Sequence, residues 1–146
     1  MFEAWSMTAR RVADAALMDA VRRRCAFVEP VHFLVAVFNE RDAGANRWLR
    51  EEAKLDPPRF PPELEPHLRG VPTDKRYAKY SQVTEEVLRF VAQQAAGRER
   101  RTSGTMDLLL AICRQERDPA NVYLKNYHVG VRRVEAAIEG GHFNDR

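Results

Sequence analysis

"FVEPVHFLVAVF", residues 27–38, and "TSGTMDLLLAIC", residues 102–113, decide the fold of this chain. Each is an apolar run introduced by a short stretch of mixed character, and the second lies 75 positions after the first. The same shift carries Ser6 onto Ser81, Val12 onto Val87, Ala20 onto Ala95, Leu34 onto Leu109, Ala36 onto Ala111 and Leu49 onto Leu124. It carries the pair Ala45-Asn46 onto Ala120-Asn121, Arg23 onto Arg98, Val37 onto Ile112 and Trp48 onto Tyr123. An apolar pattern held in phase without a gap over three helices marks a duplicated unit. Each copy is too small to bury its apolar faces alone, so the two must pack together.

The pattern inside each copy is helical. Ala9, Ala13, Ala16, Leu17, Ala20 and Val21 recur at helix spacing over residues 6–24, with Ser6 or Thr8 as a cap. Pro30 suits the first turn of a second helix to about residue 41. A third fits 45–54, and "DPPRFPPELEP" allows a short fourth from Pro61 or Pro62 to about Leu68. Polar "RGVPTDKRYAK" then connects the halves. Helices are expected again from Ser81, over 103–117, after the Asp118-Pro119 cap, and over 131–139. There is no strand alternation and no hairpin signal. The predicted fold is all-α: two tandem pseudo-twofold four-helix repeats packed as one domain. Repeat one spans 1–68, the linker 69–79, repeat two 80–141 and a tail 142–146.

Composition excludes several function classes. No apolar run approaches the ~18 residues that a membrane span needs, and "MFEAWSMTARR" lacks the continuous apolar segment of a secretory signal. A cytoplasmic location is expected. Cys25 and Cys113 stand far from any C-x-x-C or Cys/His cluster and read as reduced, partly buried thiols. The four histidines, His32, His67, His128 and His142, form no nucleophile set or metal-ligand spacing. Glu51-Glu52 and Glu85-Glu86 are sequence neighbours, not facing carboxylates. No catalytic residue, cofactor or metal is expected. Arg22, Arg23 and Arg24, with Arg98, Arg100 and Arg101 in the other copy, suit helix C-termini. The net charge of +3 is too small to argue for nucleic acid, which is kept as a lesser alternative, ahead of an enzyme. His32 aligns with Asp107, so it reads as a buried helix-start residue bonded to a neighbouring turn.

These residues resemble a known family. The aromatic, Glu-Pro, apolar, His order of "FVEPVHFLVAVF" is similar to the N-terminal domain of Clp-family AAA+ unfoldases, nearest the ClpB branch. "TSGTMDLLLAIC" through "ANVYLKNYHVGVRRVEAAI" looks more like the second repeat of ClpA. The resemblance covers about residues 2–139 and leaves the branch open, a secretion-system sheath disassembler included. It implies a mobile, non-catalytic domain on a Clp ATPase ring that binds an adaptor protein or an unfolded polypeptide. With no G-x-x-x-x-G-K-[ST], the chain itself is not the ATPase. It is either an excised N-domain, which "GGHFNDR" as the start of a flexible linker favours, or a freestanding regulator acting on an adaptor in trans. Val31 and Met106 stand where the ClpC branch has glutamates, which argues against phosphoarginine recognition. The first helix lacks the glycine common at its end, and Gly97 is the candidate in the second copy. By position, the peptide groove of the ClpB branch maps onto Ser6, Leu88, Asp107 and Leu108, the secure positions being those outside Leu88.

Overall fold

Helices form where the two apolar runs and their caps place them. A computed structural model describes residues 2–55, 61–97 and 102–146. Repeat one contains α1 (Met7–Arg22), the two-residue strand β1 (Phe27–Val28), α2 (Pro30–Asn39) and α3 (Gly44–Glu51). A 3₁₀ turn (Pro62–Leu64) and α4 (Glu65–Arg69) complete it. Repeat two follows β2 (Lys79–Tyr80) with α5 (Gln82–Ala96), α6 (Thr105–Cys113), α7 (Pro119–Asn126) and α8 (Val131–Gly140).

The duplicated positions do duplicated work. Ser6 Oγ accepts from Ala9 N at 3.0 Å and Ser81 Oγ from Thr84 N at 3.1 Å, each capping the first helix of its repeat. Buried Asn46 donates through Nδ2 to Val37 O (2.9 Å) and Phe38 O (3.0 Å). Buried Asn121 does the same to Ile112 O (3.3 Å) and Cys113 O (2.5 Å). The repeated Ala-Asn pair therefore answers the orphan carbonyls at the ends of α2 and α6. At the starts of those helices, His32 Nδ1 accepts from Glu29 N at 2.9 Å and Asp107 Oδ2 from Gly104 N at 2.8 Å. The alignment of a histidine with an aspartate has a simple cause: both serve as acceptors three residues into a helix.

Two short parallel pairings, absent from the sequence expectation, stitch the copies together. Val28 pairs with Tyr80, and Ser103 bridges to Trp5. Adding 75 to Val28 gives Ser103, and adding it to Trp5 gives Tyr80, so each repeat lends the residue before its first helix to the other. The matching bonds are Ser81 N to Val28 O (3.3 Å) and Ser6 N to Ser103 O (2.8 Å). The connecting segment is tied down as well: Ala26 N reaches Val71 O at 2.7 Å and Thr73 N reaches Arg24 O at 2.9 Å.

One core joins the halves. Leu34, Leu49, Leu109 and Leu124 are fully buried in the same apolar cluster. All nine residues of α6 are buried, as is α2 from Pro30 to Val37. Helices apolar on every side belong at the centre, wrapped by the others. Each such leucine contributes about 1.5–3 kcal/mol through burial. α1 ends on Arg24 at φ 61, with Cys25 N bonded to Ala20 O at 2.9 Å. The missing glycine is thus felt: arginine holds a left-handed turn that costs an L-residue roughly 1–2 kcal/mol.

Candidate functional site

Two clefts lie across the boundary between the repeats. The first, of 460 Å³, opens at the start of α6 between Ser6, Met106, Asp107 and Ile138. The second, of 210 Å³, opens at the start of α2 between Phe27, Val31, Val71 and Pro119. They are equivalent places. Phe27, Glu29, Val31, Pro66 and Gly70 line the second, and their partners at +75, Thr102, Gly104, Met106, Gly141 and Asp145, line the first.

One wall of the first cleft is built by the chain's own tail, Phe143, Asn144 and Asp145. Residues 142–146 do not leave the domain as a linker. The Asp145 carboxylate accepts from Gly44 N (2.9 Å) and Thr105 N (2.9 Å), and from the hydroxyls of Ser6 (2.5 Å) and Thr105 (2.5 Å). Gly44 and Thr105 are the first residues of α3 and α6, so one carboxylate satisfies an orphan amide on each helix. Around it, Arg47 Nη2 donates to Asn144 O at 2.6 Å and Thr8 Oγ1 to the main-chain oxygen of Arg146 at 2.6 Å. Two glycines make room: a Cβ on Gly44 would stand 1.8 Å from Phe143 O, and one on Gly104 2.8 Å from Asp145 Oδ2.

The second cleft sets exposed apolar side chains beside Glu29, His67 and Asp118. Phe27 is 39 % exposed and Val71 59 %, both larger exposures than a core residue would show. Of its two acids, Asp118 caps α7 through Ala120 N at 3.0 Å. Burial pushes the Asp118 carboxyl up to about 6, against the opposing pull of that amide, and Glu29 adds to the rise.

Of the residues singled out from sequence, Ser6 and Asp107 meet in the first cleft. Leu88 and Leu108 do not line it; they are 1 % and 0 % exposed, inside the common core. Helical spacing placed them on apolar faces but said nothing about what covers those faces. The residues that sequence reading missed are Gly44, Gly104, Thr105 and Asp145. Their one available signal was the absence of proline at the starts of α3 and α6, against Pro119 and Pro30 at the matching starts.

His32 is a core residue. It is wholly buried, and with Nδ1 accepting, Nε2–H donates to Leu68 O at 3.1 Å, tying α4 to the start of α2. Desolvation holds its imidazole below the ordinary histidine range. Both cysteines are buried free thiols. Cys25 Sγ donates toward Leu68 O and Arg69 O, both at 3.1 Å, and burial pushes the Cys113 thiol up to about 12. Among the described residues no cluster of three His, Cys, Asp or Glu side chains could hold a metal. No described helix is long and apolar enough to cross a membrane. Of the basic run, Arg22 and Arg23 bind Asp19 (2.5 and 3.0 Å), and Arg23 also meets Glu65 at 3.5 Å. Arg98, Arg100 and Arg101 lie outside the described residues.

The Clp repeat (R) N-terminal domain family matches residues 5–127. This chain belongs to that family. The N-terminal domain of Hsp104 from Candida albicans has the same Clp N-terminal fold, with TM-score 0.73 and 19 % identity over 98 % of this chain and 95 % of that one. The N-terminal domain of the ClpV1 ATPase from E. coli gives 0.69 and 14 %, over 92 % and 83 %. A chain from a malarial protein secretion system gives 0.72 and 17 %, over 93 % and 92 %. No curated protein sequence matches significantly. The chain is therefore a Clp N-terminal domain, with the helical double repeat expected from sequence.

Proposed function

We propose that this Clp N-terminal domain is a non-catalytic docking module that presents adaptor proteins or unfolded segments to a Clp-type ATPase ring. The observation that carries the reading is the family match across both repeats, together with a cleft across the boundary between them. Ser6 and Asp107 are among the residues that line it. Leu88 and Leu108 act from beneath, as packing that fixes α5 and α6. Apolar side chains of a non-native chain would sit against Met106 and Ile138 here, or against Phe27 and Val71 in the second cleft. Pairing of Arg22 and Arg23 with acids favours this over nucleic acid, which needs unpaired cations for phosphates.

Fluorescence anisotropy of a labelled, permanently unfolded protein tests it, with duplex DNA in parallel. Saturable binding to the unfolded chain that survives moderate salt is expected. Binding to DNA alone, lost with salt, would show a docking fold put to another use.

A further inference from the structure

We propose that the segment around Asp145 is a resident ligand of a four-donor seat in the wall of the first cleft, and that this seat selects a peptide carrying a carboxylate side chain, which must displace it. The inference rests on the docking function above and goes beyond it by naming the ligand chemistry and the competitor.

Four donors converge on one carboxylate: two helix-start amides and two hydroxyls, from three helices and both repeats. A bare main-chain carbonyl offers a single acceptor oxygen, whereas a carboxylate offers two with a full charge. Both oxygens are used here. Oδ1 takes Gly44 N and the Thr105 hydroxyl; Oδ2 takes Thr105 N and the Ser6 hydroxyl. The equivalent place in the second cleft makes an internal control. There the two helix-start residues are Pro30 and Pro119, which have no N–H, and the residue matching Asp145 is Gly70, which has no side chain. Both helix-start amides, the Thr105 hydroxyl and the carboxylate are present together in one cleft and lost together in the other, while the Ser6 hydroxyl alone has a counterpart, in Ser81. That joint change argues that the carboxylate belongs to the seat, not to a chance fold of the tail.

The segment is held by backbone as well as by Asp145. Arg146 N donates to Asp42 O at 3.0 Å, and Arg47 grips Asn144 O. A peptide arriving from outside meets the same donors and the same glycine-cleared track. It competes against a tethered ligand, whose effective concentration is on the order of millimolar. Occupation in cis thus makes the seat a gated one.

A labelled peptide of sequence GGHFNDR, a copy of residues 140–146, probes this in the full-length chain. It should bind Asp145→Ala at least about ten-fold more tightly than wild type, the weight of one charge-assisted contact. The same peptide with its aspartate replaced by alanine should not bind either protein. Equal affinity for wild type and variant overturns the proposal, as does equal binding of the two peptides. Asp145→Asn, which keeps the shape and loses the charge, gives a second route should the alanine variant lose its helical circular dichroism; the same direction of change is expected. In the wild type, Gly44 and Thr105 amides should exchange slowly with solvent, and in Asp145→Asn faster; unchanged exchange in the variant would also count against the seat. No unfolded client enters these measurements, so failure of the docking function and failure of the cis ligand are read separately.

Discussion

Where the first cleft has Gly44 and Thr105 beginning α3 and α6, the second has Pro119 and Pro30 beginning α7 and α2. Proline removes an amide that a helix start would otherwise leave without a partner. The second cleft then has no such amides to fill, and its lining sets Phe27, Val31 and Val71 beside Glu29 and Asp118. The first cleft keeps both amides and fills them with Asp145. Duplication has preserved the scaffold, down to the buried asparagines, while the first residue of each flanking helix sets the polarity of the opening. The same freedom appears at position 32 and its partner. His32 and Asp107 both accept the amide at their helix start, and His32 also donates its Nε2–H to Leu68 O of α4.

The largest test asks whether the two repeats are one cooperative unit. Leu34→Ala and Leu109→Ala, at equivalent fully buried positions, should each lower stability by about 2–5 kcal/mol. Each should give a single denaturant transition. Two transitions in either variant would mean that the halves unfold independently, against the shared core. A middle-sized effect separates the paired acceptors. His32→Ala should cost about 1–3 kcal/mol, because it frees a buried amide and a buried carbonyl together. Asp107→Ala should cost about 1 kcal/mol, as loss of a helix-start acceptor does. Thermal unfolding that ranks the two the other way would show that the α4 contact is not what distinguishes them.

The smallest effect lies in the second cleft and depends on pH. Asp118 has its folded pKa raised from 3.8 to about 6, so its contribution is full below 3.8 and falls as pH rises through 6. Above that, folding must hold a partly desolvated carboxylate. Asp118→Asn keeps a good helix cap and removes the charge. It should stabilise the protein by about 1 kcal/mol at pH 7.5 and leave it unchanged at pH 3.5. A stability difference independent of pH would assign the effect to the cap alone.

Much of the architecture was legible from residue order, and the reasons are local. Helical spacing, Pro30 and Pro119 in first turns, and Ser6, Ser81 and Asp118 as caps are properties of neighbours a few residues apart. They gave eight helices close to their final bounds, with α6 the main exception. It runs from Thr105 to Cys113, shorter than the expected 103–117, because Ser103 pairs with Trp5 and Asn121 closes the far end. The strands escaped notice because two residues cannot show alternation, and each pairs with a partner roughly fifty or more positions away.

By itself, the sequence determined that this protein is a duplicated helical domain, since an apolar pattern kept in phase at a fixed shift admits little else, and its Glu-Pro, apolar, His helix start carried the resemblance to Clp N-terminal domains. Only the tertiary structure decided what the surface offers. Leu88 and Leu108 became core because α6 is covered on every side, and residues 142–146 became a docked segment because donors from α1, α3 and α6 meet at one point. Periodicity tells which side chains share a face. Whether that face meets solvent, core or a returning segment of the same chain depends on contacts between distant residues, which no local pattern records.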